Sequence, residues 1–459
     1  MKLSKIFLSL FASVALLSCS DDDAVQAQSF NYEQYGQPFA NMPLPQDAVI
    51  YQVNVRSFSP EGTLNAVRQR LSYIKELGAN VVYLMPIYPI GQVNMAGAAG
   101  SPYSVQNYTA ISAQMGTLED LRALVNEAHS LDMAVMLDWV ANHTSYDNAW
   151  ITQHPDWYQQ DEEGNIISPP GTNWADVAQL NFESTEMRKA MIDAMAYWVY
   201  NANIDGFRCD AADYVPQNFW AEANTALRGI KKNQKLLMLA EGSRFNHFTA
   251  GFDYTFGFGF FAALDEVYHD NKPATHLQDV NASEYANNYN YDWRIIRYST
   301  NHDVNLSHGS AMELFNGARG SMAAFVVASY MKSVPMVYNA QEIGYVPRID
   351  FLNDAPIDWS TPDNDMLEEY KKIIAFRKSS NAVKRGAYTG YSSNAVSAFT
   401  MEKDGEKVLI LANLTNANAN YILPAQLAAE TWTDGLTGTA ANLPANVNLA
   451  AYEYRILKN

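Results

Sequence analysis

The chain has 459 residues, 48% apolar and 17% charged, with 31 Lys plus Arg against 49 Asp plus Glu and a formal net charge of −18. That is material for two or three domains, or for one α/β barrel with a small appendage, and it excludes bulk disorder. So acidic a chain is unsuited to nucleic acid, or to anionic lipid through basic patches, and a neutral substrate is expected.

Residues 1–18 read as an export signal. Lys2 and Lys5 precede an apolar run over 6–17, shorter than the roughly 20 residues a bilayer span needs. Leu16-Leu17-Ser18-Cys19 resembles a bacterial lipobox, and Ser20-Asp21-Asp22-Asp23 resembles the surface-export signal of Bacteroidetes lipoproteins. The expectation is a lipid anchor at Cys19 and a cell-surface position on the outer membrane. Cys209 is the only other cysteine, so no intrachain disulfide is expected. Residues 19–45, polar with scattered Pro and Gly, read as a tether.

A repeating grammar then begins. Alternation over 49–56 predicts a strand, 64–77 a helix closed by Gly78, and 80–85 a second strand. Thr117 to Asp120 has the form of a capping box opening a helix that runs to His129, and 133–137 is a buried strand. Met187, Met191, Ala194, Met195 and Trp198 hold helical spacing, and a short strand over 206–210 follows. Further apolar runs lie at 236–240, 295–299 and 334–338. Strands alternating with helices over 46–380 predict a (β/α)8 TIM barrel. An open doubly wound sheet is the alternative, without a glycine fingerprint after the first strand to support it. Residues 140–182 carry Pro169-Pro170-Gly171 and no helical period, and are expected to form an inserted loop domain after strand three. Short alternating runs and a Lys403-Asp404-Gly405 turn predict a C-terminal antiparallel β domain over 381–459.

Chemistry in a parallel barrel belongs at the C-terminal strand ends. Four of them carry acids or their partners: Asp138 with His143, Arg208 with Asp210, Glu241, and Asn301-His302-Asp303. Arg208 and Asp210 are two apart on a strand and share a face. A guanidinium there either keeps Asp210 ionised as a nucleophile or forms a purely structural ion pair. Glu241 follows an apolar run, where desolvation favours a retained proton and a general-acid role. Two carboxylates in opposed environments suit retaining glycoside hydrolysis.

Asp138-Trp139-Val140-Ala141-Asn142-His143, Gly206-Phe207-Arg208-Cys209-Asp210, Ala240-Glu241-Gly242 and Asn301-His302-Asp303 resemble, in order and spacing, the four signature regions of the α-amylase family, glycoside hydrolase family 13. Ser101-Pro102-Tyr103 and the run from Tyr338 to Glu342 match as well. The resemblance implies Asp210 as nucleophile, Glu241 as acid/base and Asp303 as a third carboxylate that binds sugar hydroxyls. It implies Arg208 holding Asp210, His143 and His302 hydrogen-bonding the sugar, and Tyr103 stacking beneath it. The implied substrate is an α-glucan, starch or maltodextrin, cut at α-1,4 links, with no cofactor for the chemistry. A transglycosylase, or a catalytically silent glucan-binding lipoprotein, is the alternative. Two departures stand out. Ala211-Ala212-Asp213-Tyr214 lacks the Lys-His pair that many endo-acting members use at the next subsite. Gln179 stands where many members place an acidic calcium ligand, although Asn142 fits the other half, so a structural Ca2+ is doubtful and the metal ligands are left unassigned.

Overall fold

Eight parallel strands close into a barrel, each lying beside its neighbours in sequence. They are β1 (Ile50–Val53), β2 (Val81–Leu84), β3 (Ala134–Trp139), β4 (Gly206–Cys209), β5 (Leu237–Ala240), β6 (Tyr254–Phe256), β7 (Arg294–Arg297) and β8 (Ser333–Tyr338). β8 returns to β1, with Met336 opposite Ile50. The architecture comes from a computed structural model that describes residues 28–231, 235–286, 293–353 and 355–459. The expected export signal and the expected lipid anchor at Cys19 lie outside the described residues. Among the described residues no helix is long and apolar enough to cross a membrane.

Every barrel-strand residue is buried, because helices cover the outside while side chains fill the inside. That is why β2 and β5 read as continuous apolar runs. The helix Leu118–Ser130 opens on the expected capping box, with Thr117 N donating to Asp120 Oδ2 at 2.8 Å and Asp120 N to Thr117 Oγ1 at 3.3 Å. The helix Thr185–Asn201 buries Met187, Met191, Met195 and Trp198 as its spacing requires.

Several local expectations are corrected. The helix expected over 64–77 is two, Leu64–Arg68 and Leu71–Leu77. Arg70 leaves helical geometry between them, and its guanidinium lies 4.2 Å from the Trp359 ring centroid. β1 stops at Val53 because buried Asn54 begins a helix: its backbone N donates to Asn339 Oδ1 at 2.6 Å, and its side chain caps the short helix Val55–Phe58. β6 was not foreseen, since three residues between Asp253 and Gly257 give no period to read. Residues 28–45, expected as tether, pack on the barrel. Phe39 is buried and stacks on His129 with centroids 4.6 Å apart, Tyr32 donates to Asp193 Oδ2 at 2.6 Å, and Tyr35 lies under the Arg122 guanidinium. Four aromatics, Phe30, Tyr32, Tyr35 and Phe39, give this segment apolar area that a free linker lacks.

After β3 the inserted segment folds back as a short antiparallel hairpin, His143–Ser145 with Val177–Gln179, which walls one side of the barrel mouth. The C-terminal domain is a six-stranded antiparallel sheet with a separate two-stranded ribbon. Its central hairpin turns at Asp404 and Gly405, both at positive φ, as a two-residue turn demands. Alternate residues serve two cores: Val396, Ala398, Leu409 and Leu411 pack within the domain, while Phe399, Met401, Val408 and Ile410 join the barrel core.

Candidate active site

The C-terminal strand ends converge on a cleft of about 490 Å³ lined by Tyr103, His143, Asp210, Glu241, His302 and Asp303, among others. Beneath it lies Arg208, fully buried. Its placement follows from register: Arg208 on β4 sits opposite Asp138 on β3. Arg208 Nη1 donates to Asp138 Oδ1 at 2.7 Å and to Asp210 Oδ1 at 2.9 Å, while Nη2 donates to Glu241 Oε1. One guanidinium therefore joins three strand ends.

Backbone geometry fixes the two cleft carboxylates. Asp210 N donates to Trp139 O at 2.8 Å, and Glu241 N to Cys209 O at 2.9 Å. Ala211 then enters the left-handed region at φ 45, an uncommon conformation for a residue with a Cβ. This aims its N–H at Glu241 Oε2, 2.8 Å away. Asp303 stands in the first turn of the helix His302–Ser307, capped by Asn301, whose side chain accepts from Val304 N at 2.8 Å. Its side chain is 54% exposed to the cleft and lies 3.2 Å from His302 Nε2.

A polar relay supports this floor. Gln52 Nε2, at the end of β1, lies 2.8 Å from His302 Nδ1; His302 Nε2 lies 2.7 Å from Tyr103 Oη; and the Tyr103 hydroxyl donates to Asp138 Oδ2 at 3.1 Å. If Gln52 donates to Nδ1, the histidine proton is on Nε2 and every step of the relay has one donor and one acceptor. Tyr83 also donates to Asp138 Oδ2. The Tyr103 ring is stacked with His302, their centroids 5.4 Å apart. His143 is buried beside Trp174 of the inserted segment.

Burial sets the electrostatics. It lowers the His143 imidazole to about 4 and that of His302 to about 3, the latter also through Arg208, so both rings are neutral at neutral pH. Burial raises the Asp138 carboxyl to about 6 against the pull of Arg208. Burial, and then the charge of Glu241, push the Asp210 carboxyl well above the usual carboxylate range. This corrects the expectation that the Arg208 guanidinium keeps Asp210 ionised. Its charge is shared by Asp138, Asp210 and Glu241, so it cannot by itself hold Asp210 ionised.

The calcium position is tested by its donors. Gln179 Nε2 donates to Asn142 Oδ1 and to Asn142 O, both at 3.1 Å, and to Leu180 O at 3.0 Å. An amide NH2 thus occupies the point where those oxygens converge. A hard cation needs oxygens there, preferably charged ones, so these residues do not fit Ca2+. Among the described residues no cluster of three His, Cys, Asp or Glu side chains could hold a metal ion.

The family model for the α-amylase catalytic domain matches residues 21–429. The chain belongs to the α-amylase family. It is 24% identical over 440 residues to α-amylase 2 of Dictyoglomus thermophilum, covering 85% of this chain and 75% of that one. It is also similar, at 23% over 393 residues, to an α-1,4-glucan:maltose-1-phosphate maltosyltransferase of Picrophilus torridus, covering 78% of this chain and 59% of that one. The crystal structure of an α-amylase from Lactobacillus plantarum superposes with a TM-score of 0.81 at 26% identity, over 91% of this chain and 99% of that one. The α-amylase-family fold, a (β/α)8 barrel with a C-terminal β domain, is thereby shared, and the protein is a glycoside hydrolase.

All seven residues singled out from the sequence meet in this α-amylase-family cleft or directly beneath it. Sequence reasoning noted Asp138 but missed its place at the hub of Arg208, Tyr83 and Tyr103. It also missed Gln52, whose signal was a polar side chain within an otherwise apolar strand. Trp174, Asp176, Phe351 and Leu352 complete the lining from loops that carry no periodicity.

Proposed function

We propose that this glycoside hydrolase cleaves α-1,4-glucosidic bonds of starch or maltodextrins with net retention, through a covalent glycosyl-enzyme. The observation that carries the reading is the single guanidinium linking Asp210 and Glu241. A guanidinium that donates to both carboxylates holds them together at one point of the cleft floor, as a nucleophile and its acid/base must be held. Asp210 attacks the anomeric carbon while Glu241 protonates the departing oxygen; Glu241 then takes a proton from the incoming water. The cluster's excess negative charge favours a protonated Asp210 in the free enzyme. Attack requires that proton to leave Asp210, and Glu241 to carry the acid proton, once substrate is bound. Neutral His143 and His302 offer hydrogen bonds to sugar hydroxyls without competing for that proton, Asp303 accepts from hydroxyls, and the Tyr103 ring faces the sugar.

A second reading, transfer to another sugar, is favoured by Trp174 and Tyr214. Their rings lie 5.6 Å apart near Ala211 and Glu241, and Tyr214 is 56% exposed. Such faces suit an acceptor pyranose. Maltoheptaose digested with and without excess glucose, followed by proton NMR, tests both readings. The first-formed reducing ends should be α, and hydrolysis should exceed transfer. A β product overturns retention, and dominant transfer replaces the hydrolase with a transferase.

A further inference from the structure

The turn after Asp210 departs from the family pattern at Asp213, and the structure gives that departure a use. The Asp213 carboxylate reaches the loop that follows β5 and carries Glu241. His247 Nε2 donates to Asp213 Oδ1 at 2.6 Å, Ser243 N donates to Oδ2 at 3.1 Å, and Arg244 Nε stands 3.6 Å from Oδ1. His247 is 2% exposed and its Nδ1 is buried without a partner, so the ring's hydrogen bonding is spent on Asp213. Gly242, the residue after Glu241, lies directly against this pair: a Cβ there would come within 2.6 Å of both Asp213 Oδ1 and His247 Nε2. The same two loops are also joined by Ala212 N donating to Glu241 O at 2.9 Å.

We propose that Asp213 and His247 are positioning residues, a clamp that fixes Glu241 relative to Asp210 by holding the backbone of Gly242 and Ser243 against the nucleophile's own loop. The inference rests on the reading of Glu241 as acid/base. Although burial raises the Asp213 carboxyl, the His247 and Ser243 donors bring it below the usual range, so the clamp is ionised. Protonation of a leaving oxygen requires the acid within hydrogen-bond reach, and a displacement of about 1 Å can cost about a hundredfold in rate.

The test compares maltoheptaose, whose sugar leaving group needs the acid, with α-maltosyl fluoride, whose leaving group does not. Asp213→Ala and His247→Phe should lower kcat/KM on maltoheptaose at least about tenfold more than on the fluoride, because kcat/KM on the fluoride reports formation of the glycosyl-enzyme and not its base-assisted release. His247→Gln, which keeps a side-chain N–H for Asp213, should recover most of the difference. If Asp213→Ala fails to fold, the His247→Phe and His247→Gln pair decides the question. Equal losses on both substrates, or no loss, overturn the clamp. A Glu241→Gln control without that split would overturn the acid/base reading instead, so the two failures are distinguishable.

Discussion

A guanidinium beside Asp138, Asp210 and Glu241 cannot neutralise all three, and the pH dependence of the site follows from that shortfall. The Asp210 carboxyl lies above its usual range, first through burial and then through the charge of Glu241. A group with a raised pKa is protonated below that value, so the nucleophile is lost as pH falls, earlier than an ordinary Asp near 3.9 would allow. On α-maltosyl fluoride the acid limb of kcat/KM should therefore lie above about pH 4. In Glu241→Gln the neighbouring charge is gone, Asp210 ionises more readily, and the limb should move to lower pH. A limb that stays or moves up contradicts the account. His143 and His302 contribute nothing above about pH 5, because burial keeps both neutral there.

The strand pair His143–Ser145 and Val177–Gln179 supports one wall of the cleft, with Gln179 and Asn142 hydrogen-bonded to each other beside it, and we propose that it needs no cation. Adding a chelator should leave Tm unchanged within about 2 °C, a shift that corresponds to about 2 kcal/mol in a chain of this size. A drop of many degrees, restored by Ca2+, would reveal an ion held by ligands outside this hairpin. At the same scale the chain was unevenly legible. β5 is readable because Glu241 follows an apolar run, and β4 because it comes straight after the helix with the clearest spacing and ends in Arg208 and Asp210. β6 was not, being three residues whose identity as a strand comes from pairing with β5 and β7. Polar composition made 28–45 read as a tether, yet Phe39 finds a stacking partner in His129, 90 positions away in sequence, a contact no local pattern announces. Gln52 and Asp138 became intelligible only once closure of the barrel brought their strands to Tyr83, Arg208 and His302.

At the scale of the whole molecule, barrel closure places groups from β1, β3, β4, β5 and β7 on one rim, while the C-terminal sheet covers outer helices and contributes Phe399 and Ile410 to the same core. The division of work between Asp210 and Glu241 is the claim on which the functional reading stands. Its most direct test is mass spectrometry of Glu241→Gln after exposure to α-glucosyl fluoride. The fluoride leaves without an acid, so the glycosyl-enzyme should form, and no base remains to activate water for its release. The account predicts a hexose-sized increment on the peptide containing Asp210. An increment on Glu241 or Asp303 in the wild-type enzyme, or none in a Glu241→Gln protein that still consumes the fluoride, would contradict it.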